Sequence, residues 1–164
     1  MSNSAVPAEA LLHWNDESAR GWLALLAEQP EIMALPCDVR NSGDVAHTFQ
    51  HIFAVELRYA QRLAAVTESP YEDVPFGSSQ ELAHTHEQAM QMIRTLLADS
   101  AYDWSTEIEF VTITAGRLRA TRQNVLLHML LHSIRHYAQL ATLIRQHGYK
   151  TWPMDYLYTA CTPL

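Results

Sequence analysis

Apolar residues recur at helical intervals in four long stretches of this chain, separated by runs rich in Pro, Ser and Gly. In the first, Leu11, Leu12, Trp14, Ala19, Trp22, Leu23, Leu25 and Leu26 form a stripe that predicts a helix from about Ala8 to Ala27, after a flexible tail over residues 1–7. Pro30 and Pro36 frame a break. A second helix is predicted from a cap at Asn41 or Ser42 to about Val66, with Val45, Phe49, Ile52, Phe53, Val55, Leu57, Ala60 and Leu63 on its packing face. The loop ESPYEDVPFG follows. Ser78 and Glu81 then fit a capping box that opens a third helix reaching about Ala98.

The segment from Glu107 to Thr114 alternates and is β-branched, so it reads as extended, a short hairpin arm ended by Gly116. Thr121 is the expected N-cap of a fourth helix that stops at His147-Gly148. This helix is apolar almost all round, which places it at the centre of a bundle. Pro153 begins an extended tail whose Tyr156, Leu157 and Tyr158 are expected to dock on the helices. Four long helices without βαβ alternation predict an all-α four-helix bundle, a single domain over residues 1–164.

Composition adds constraints. A hydrophobic fraction of 48% is ample for a core, while 18% charged residues is sparse enough to leave apolar surface for a partner subunit, so a homodimer is expected. Net charge is −7 and the Lys and Arg are scattered singly, which argues against a nucleic-acid surface. The opening MSNSAVPAEALLHWNDE has no basic n-region, and no stretch approaches the roughly 20 apolar residues of a membrane span. A cytoplasmic protein is the expectation, with Cys37 and Cys161 as reduced thiols.

The candidate chemistry is histidine. Nine are present, and His128, His132 and His136 stand at intervals of four in the last helix. A step of four advances about 6 Å along a helix and about 40° around it, so neighbours in the series can point at one spot. Two His at i and i+4 make a helical half-site for a transition metal. The second helix carries another such pair, His47 and His51. His128 and His136 are about 12 Å apart along the axis, too far to share one ion, so His132 belongs to either pair. Spacing leaves open His128/His132 against His132/His136, and His47 against His51. The plainer reading is core histidines bonded to neighbours, but burying several imidazoles without partners is costly. His13, His84, His86 and His147 lie on less apolar stretches and read as surface residues.

At these residues the chain resembles the DinB family of DinB/YfiT-like metalloproteins. The family's late helix reads roughly H-x-x-x-H-x-x-[HR]-H-x-x-Q-[LI], followed by a Leu/Ile-Arg pair and a closing Gly. Here it runs His128, His132, Arg135, His136, Gln139 and Leu140, with Ile144-Arg145 and then Gly148. The earlier helix matches at His51, Glu56 and Tyr59. The resemblance implies a four-helix bundle and a divalent transition metal (Zn, Ni or Fe) held by His51, His132 and His136, with His128 not a ligand. Glu56, His128 and Gln139 are candidates to stand behind the ligands. Arg135 replaces a His of many members and Tyr137 replaces an Arg.

Members of known activity are thiol-dependent transferases and isomerases that use bacillithiol, mycothiol or glutathione. The resemblance therefore implies an enzyme, a hydrolase or thiol-dependent S-transferase, in which the metal activates a water or a low-molecular-weight thiol. The alternative is a non-catalytic, stress-associated, dimeric metal-binding protein. An open coordination position beside a cleft favours the enzyme, and a fourth protein ligand favours the alternative.

Overall fold

The computed structural model describes residues 8–112 and 115–161. The tail expected over residues 1–7, the Ile113-Thr114 end of the extended segment and the last residues, 162–164, lie outside them. The described chain is mostly helical. The long helices are α1 (Ala8–Glu28), α2 (Val45–Leu63), α3 (Ser79–Ala98) and α4 (Arg122–Gln146), with a short α5 (Tyr156–Ala160). Helix α2 packs on α3 and α4, and α1 packs on the same two. No described helix is long and apolar enough to cross a membrane.

Local chemistry sets the helix ends. The capping box at α3 forms, with Ser78 Oγ accepting from the Glu81 N–H at 3.2 Å, but Glu81 Oε2 accepts from the Gly77 N–H. Thr121 caps α4. Helix α2 begins later than expected, and its cap is Asp44, whose Oδ1 accepts from the His47 N–H at 2.8 Å. Asn41 and Ser42 are taken by a turn that leads into a two-residue antiparallel pair, β1 (Pro36–Cys37) with β2 (Gly43–Asp44). Ser42 Oγ bonds Thr48 Oγ1 and the Asp44 carbonyl instead of an amide of the first turn.

The extended segment is a full hairpin. Strand β3 (Glu107–Thr112) pairs antiparallel with β4 (Gly116–Thr121), so Gly116 starts a second strand where an end was expected. Glu109 pairs across the strands with Arg117 and Arg119. Of the residues expected to dock the C-terminal segment, Tyr156 does so, its ring edge-on to Trp14 with centroids 5.7 Å apart. Leu157 and Tyr158 are exposed, while Trp152 lies on Gly21 and Trp22, and Trp14 Nε1 donates to the Met154 carbonyl at 2.8 Å. Cys37 is buried, Cys161 is exposed, and both are free thiols.

The core divides into two apolar clusters, one around Trp22, Phe49, Phe53 and Tyr137, the other around Leu57, Met90, Leu126 and Met129. Between them along the helices stand Asn15 and Asp16 on α1, Glu56 on α2, His86 on α3 and Ser133 on α4, all buried. Asn15 and Ser133 donate to Glu56 Oε1 at 2.8 and 2.7 Å, and His86 bridges Glu56 and Asp16.

Candidate metal centre

Helix α2 turns Phe49, Ile52 and Phe53 into the core, and His51 shares that buried side. On α4, His132 and His136 lie among Met129, Leu130, Tyr137 and Leu140, one turn apart and both inward. The two helices pack against each other, and three imidazoles meet. Nitrogens of His51, His132 and His136 all lie within 4.8 Å of one another. Nε2 of His51 is 3.0 Å from Nε2 of His132. Ligands about 2.1 Å from one tetrahedral ion stand about 3.4 Å apart, so small ring rotations would suffice.

The donor set suits a metal in its protonation state as well. Burial holds His51 down to about 3, with the nearby Arg40 adding to it. Burial and the neighbouring His51 hold His132 down to about 2, and burial holds His136 down to about 4. Near pH 7 all three rings are therefore neutral, each with a lone pair to give. His132 Nδ1 is buried without a hydrogen-bond partner among the described residues. Three neutral imidazoles converging from two helices, with Nε2 of His51 and of His132 already 3.0 Å apart, fit a divalent ion.

The surroundings orient two of the rings. Gln139 Oε1 is 2.7 Å from His136 Nδ1, which assigns the proton to Nδ1 and the lone pair to Nε2. Arg135 Nη2 lies 3.2 Å from that Nε2 and, being a pure donor, occupies the lone pair. Tyr71 Oη is 3.4 Å from His51 Nδ1.

The other candidates fall elsewhere. His47 is exposed, with its Nδ1 2.7 Å from Asp44 and its ring against Phe76. His128 packs at a tilt against Tyr59, and its ring centre is 5.7 Å from that of His132. Glu56 touches none of the three imidazoles; its oxygens are committed to Asn15, Ser133 and His86. Asn124 is exposed in the first turn of α4. His86 corrects the surface reading, being 2% exposed. A signal for this was present: residue 86 falls in step with Leu82, Ala89, Met90 and Ile93 on the apolar stripe of α3. Tyr71 sits in a breaker-rich loop where no periodicity marks it.

A cleft of about 600 Å³ opens beside His51 and His132. Its walls include His128, Tyr59 and Tyr71, the arginines Arg40, Arg58, Arg62 and Arg135, and Val111 and Leu118 of the hairpin.

No curated protein matches the chain. The profile of the DinB family matches residues 1–162, close to the full length. Both the helical architecture and the meeting of three histidines from α2 and α4 accord with that match, and the chain belongs to the DinB family.

Proposed function

We propose that this chain is a metal-dependent enzyme of the DinB family, with His51, His132 and His136 as the ligands of a divalent transition ion. The observation that carries the reading is the approach of the three imidazole nitrogens to within 4.8 Å in a largely buried setting. When bound, such an ion would lower the pKa of a water or thiol and so supply a nucleophile near neutral pH. The reaction class that fits is hydrolysis or thiol-dependent S-transfer, with a low-molecular-weight thiol or another small molecule in the cleft.

The chain's own residues have definable parts. Gln139 holds the His136 proton on Nδ1 and so aims Nε2 inward. Tyr71 stands behind His51 and limits its rotation. The hairpin residues Val111 and Leu118 give the cleft an apolar wall. Among the described residues no fourth His, Cys, Asp or Glu joins the cluster, which supports an open position and favours the enzyme over a closed storage site.

The four long helices are read as the four-helix bundle of DinB/YfiT-like type, a single domain. A homodimer in the cytoplasm is part of the proposal. The exposed Leu131 on α4 supports the first, and the net charge of −7 keeps nucleic acid out of it.

The test is metal analysis of protein purified without a nickel column. The wild type is expected to hold about one ion per chain and His132→Ala far less, since His132 supplies one of three ligands. Equal metal content in the two proteins would remove the ligand assignment.

A further inference from the structure

The cleft beside the imidazoles is lined by Arg40, Arg58, Arg62 and Arg135 and, among the described residues, by no carboxylate. That is a concentration of positive charge in a chain of net charge −7. Two of the four are accounted for. Glu68 accepts from Arg58 at 3.1 Å and from Arg62 at 2.8 Å, and Arg62 also lies over the rings of Tyr59 and Phe110. Arg40 and Arg135 form no ion pair among the described residues. Arg40 is moreover held at φ 57, a left-handed conformation that a non-glycine residue adopts only at a cost.

The guanidiniums of Arg40 and Arg135 and the imidazoles of His51 and His132 share this recess, and an ion held by His51, His132 and the adjoining His136 would add two more positive charges. Like charges gathered at the mouth of one cleft repel, and an anion bound there offsets them. Guanidinium forks match carboxylate and phosphate oxygens, and Val55, Val111 and Leu118 offer an apolar surface beside them. We infer that the cleft binds a small organic oxyanion, a carboxylate or phosphate carried on an apolar body, with Arg40 and Arg135 as the anion-binding pair. The inference rests on the proposed metal role in placing the reacting end of that ligand at the imidazoles.

Arg135 links the two events. Its guanidinium now donates to Nε2 of His136, the lone pair an ion would need. Loading the imidazoles frees that guanidinium for the oxyanion, so each ligand favours the other.

The test is calorimetric titration of the full chain, metal-free and zinc-loaded, with benzoate, phenyl phosphate and, as the probe lacking an apolar body, acetate. Benzoate or phenyl phosphate is expected to bind the zinc-loaded wild type, and more tightly than the metal-free form, with acetate weaker. Which of the two binds better names the oxyanion. Arg40→Gln and Arg135→Gln should each weaken binding about tenfold, the loss of one charge-assisted contact. The double variant should keep its zinc, checked by metal analysis, and lose the oxyanion. Both side chains are exposed, and circular dichroism verifies the fold of the variants.

A double variant that binds benzoate and phenyl phosphate as tightly as wild type would overturn the inference, because the contact would then be with zinc alone. No oxyanion binding to the loaded wild type would overturn it too. A chain that holds no zinc, yet loses benzoate on substitution of the arginine pair, would sink the metal reading and leave the anion site standing.

Discussion

Inside the helix packing, the ring of His86 is clamped between two carboxylates, Nδ1 2.6 Å from Glu56 and Nε2 3.0 Å from Asp16. Both nitrogens face acceptors, so both are donors and the ring is an imidazolium. Burial alone would lower its pKa, but the Glu56 and Asp16 carboxylates overcome this and raise it to about 9. Asp16 is pushed up by burial and down further by His86, Arg20 and Arg94, to about 2. A raised His stabilises the fold fully below its unfolded value of 6.5, and that contribution is lost as pH rises through about 9. A depressed Asp stabilises above 3.8 and loses its contribution as pH falls through about 2. The melting temperature should therefore decline between pH 6.5 and 9. His86→Ala should flatten that alkaline decline and cost about 3–5 kcal/mol in urea unfolding at neutral pH, since it leaves the buried Glu56 with no cation beside it, while Asp16 keeps Arg20 and Arg94. An unchanged alkaline slope in the variant would place the titration elsewhere. Residue 86 could have been read as buried from its place on the α3 stripe, but its partners could not, for they lie 30 and 70 positions away.

At the scale of elements, the polar layer of Asn15, Asp16, Glu56, His86 and Ser133 fixes how the four long helices stand against one another. A one-turn slide of any of them would bury a carboxylate or imidazole against an apolar cluster, at a cost that hydrophobic packing alone would not impose. Helix α1 carries a second device of this kind. A Cβ at Gly21 would come within 2.3 Å of the Trp152 ring, so glycine there is what lets the C-terminal segment lie on α1. By helix propensity alone Gly21→Ala should stabilise by about 1 kcal/mol. The expected outcome is the reverse: a lower melting temperature, and faster proteolysis after Tyr149, as Trp152 is forced off Trp22. A variant that melts higher with its C-terminal segment still protected would show that the tryptophan can move aside freely. The boundaries of α1, α3 and α4 were legible within a residue or two, because caps and periodicity act over one turn. The start of α2 was not, because Ser42 is diverted by Thr48 and by the β1–β2 pairing, contacts a capping rule does not see.

For the molecule as a whole, the outstanding expectation is assembly. Leu131 is 55% exposed on α4, and Leu157 and Tyr158 are exposed on α5. Light scattering at micromolar concentration should return the mass of a dimer, about twice 18.6 kDa, and Leu131→Glu should shift it toward the monomer. A monomer mass for the wild type would remove the dimer from the proposal. The central place expected for α4 is not what forms: α4 leaves a face with His128 and Leu131 exposed, and α2 is the more deeply buried helix. The amphipathic pattern, read alone, already demanded a mostly helical fold, because 3.6-residue periodicity shows which side of each helix must leave water. It also marked His132 as the shared member of either histidine pair. Family resemblance, not spacing, put His51 ahead of His47 and His136 ahead of His128. Periodicity orients a helix about its own axis but says nothing of which neighbour faces it, or at what height. Tertiary packing supplied those heights: it brought His51 against His132, set Tyr71 behind it, gathered four arginines around one cleft, and left His47 on the surface.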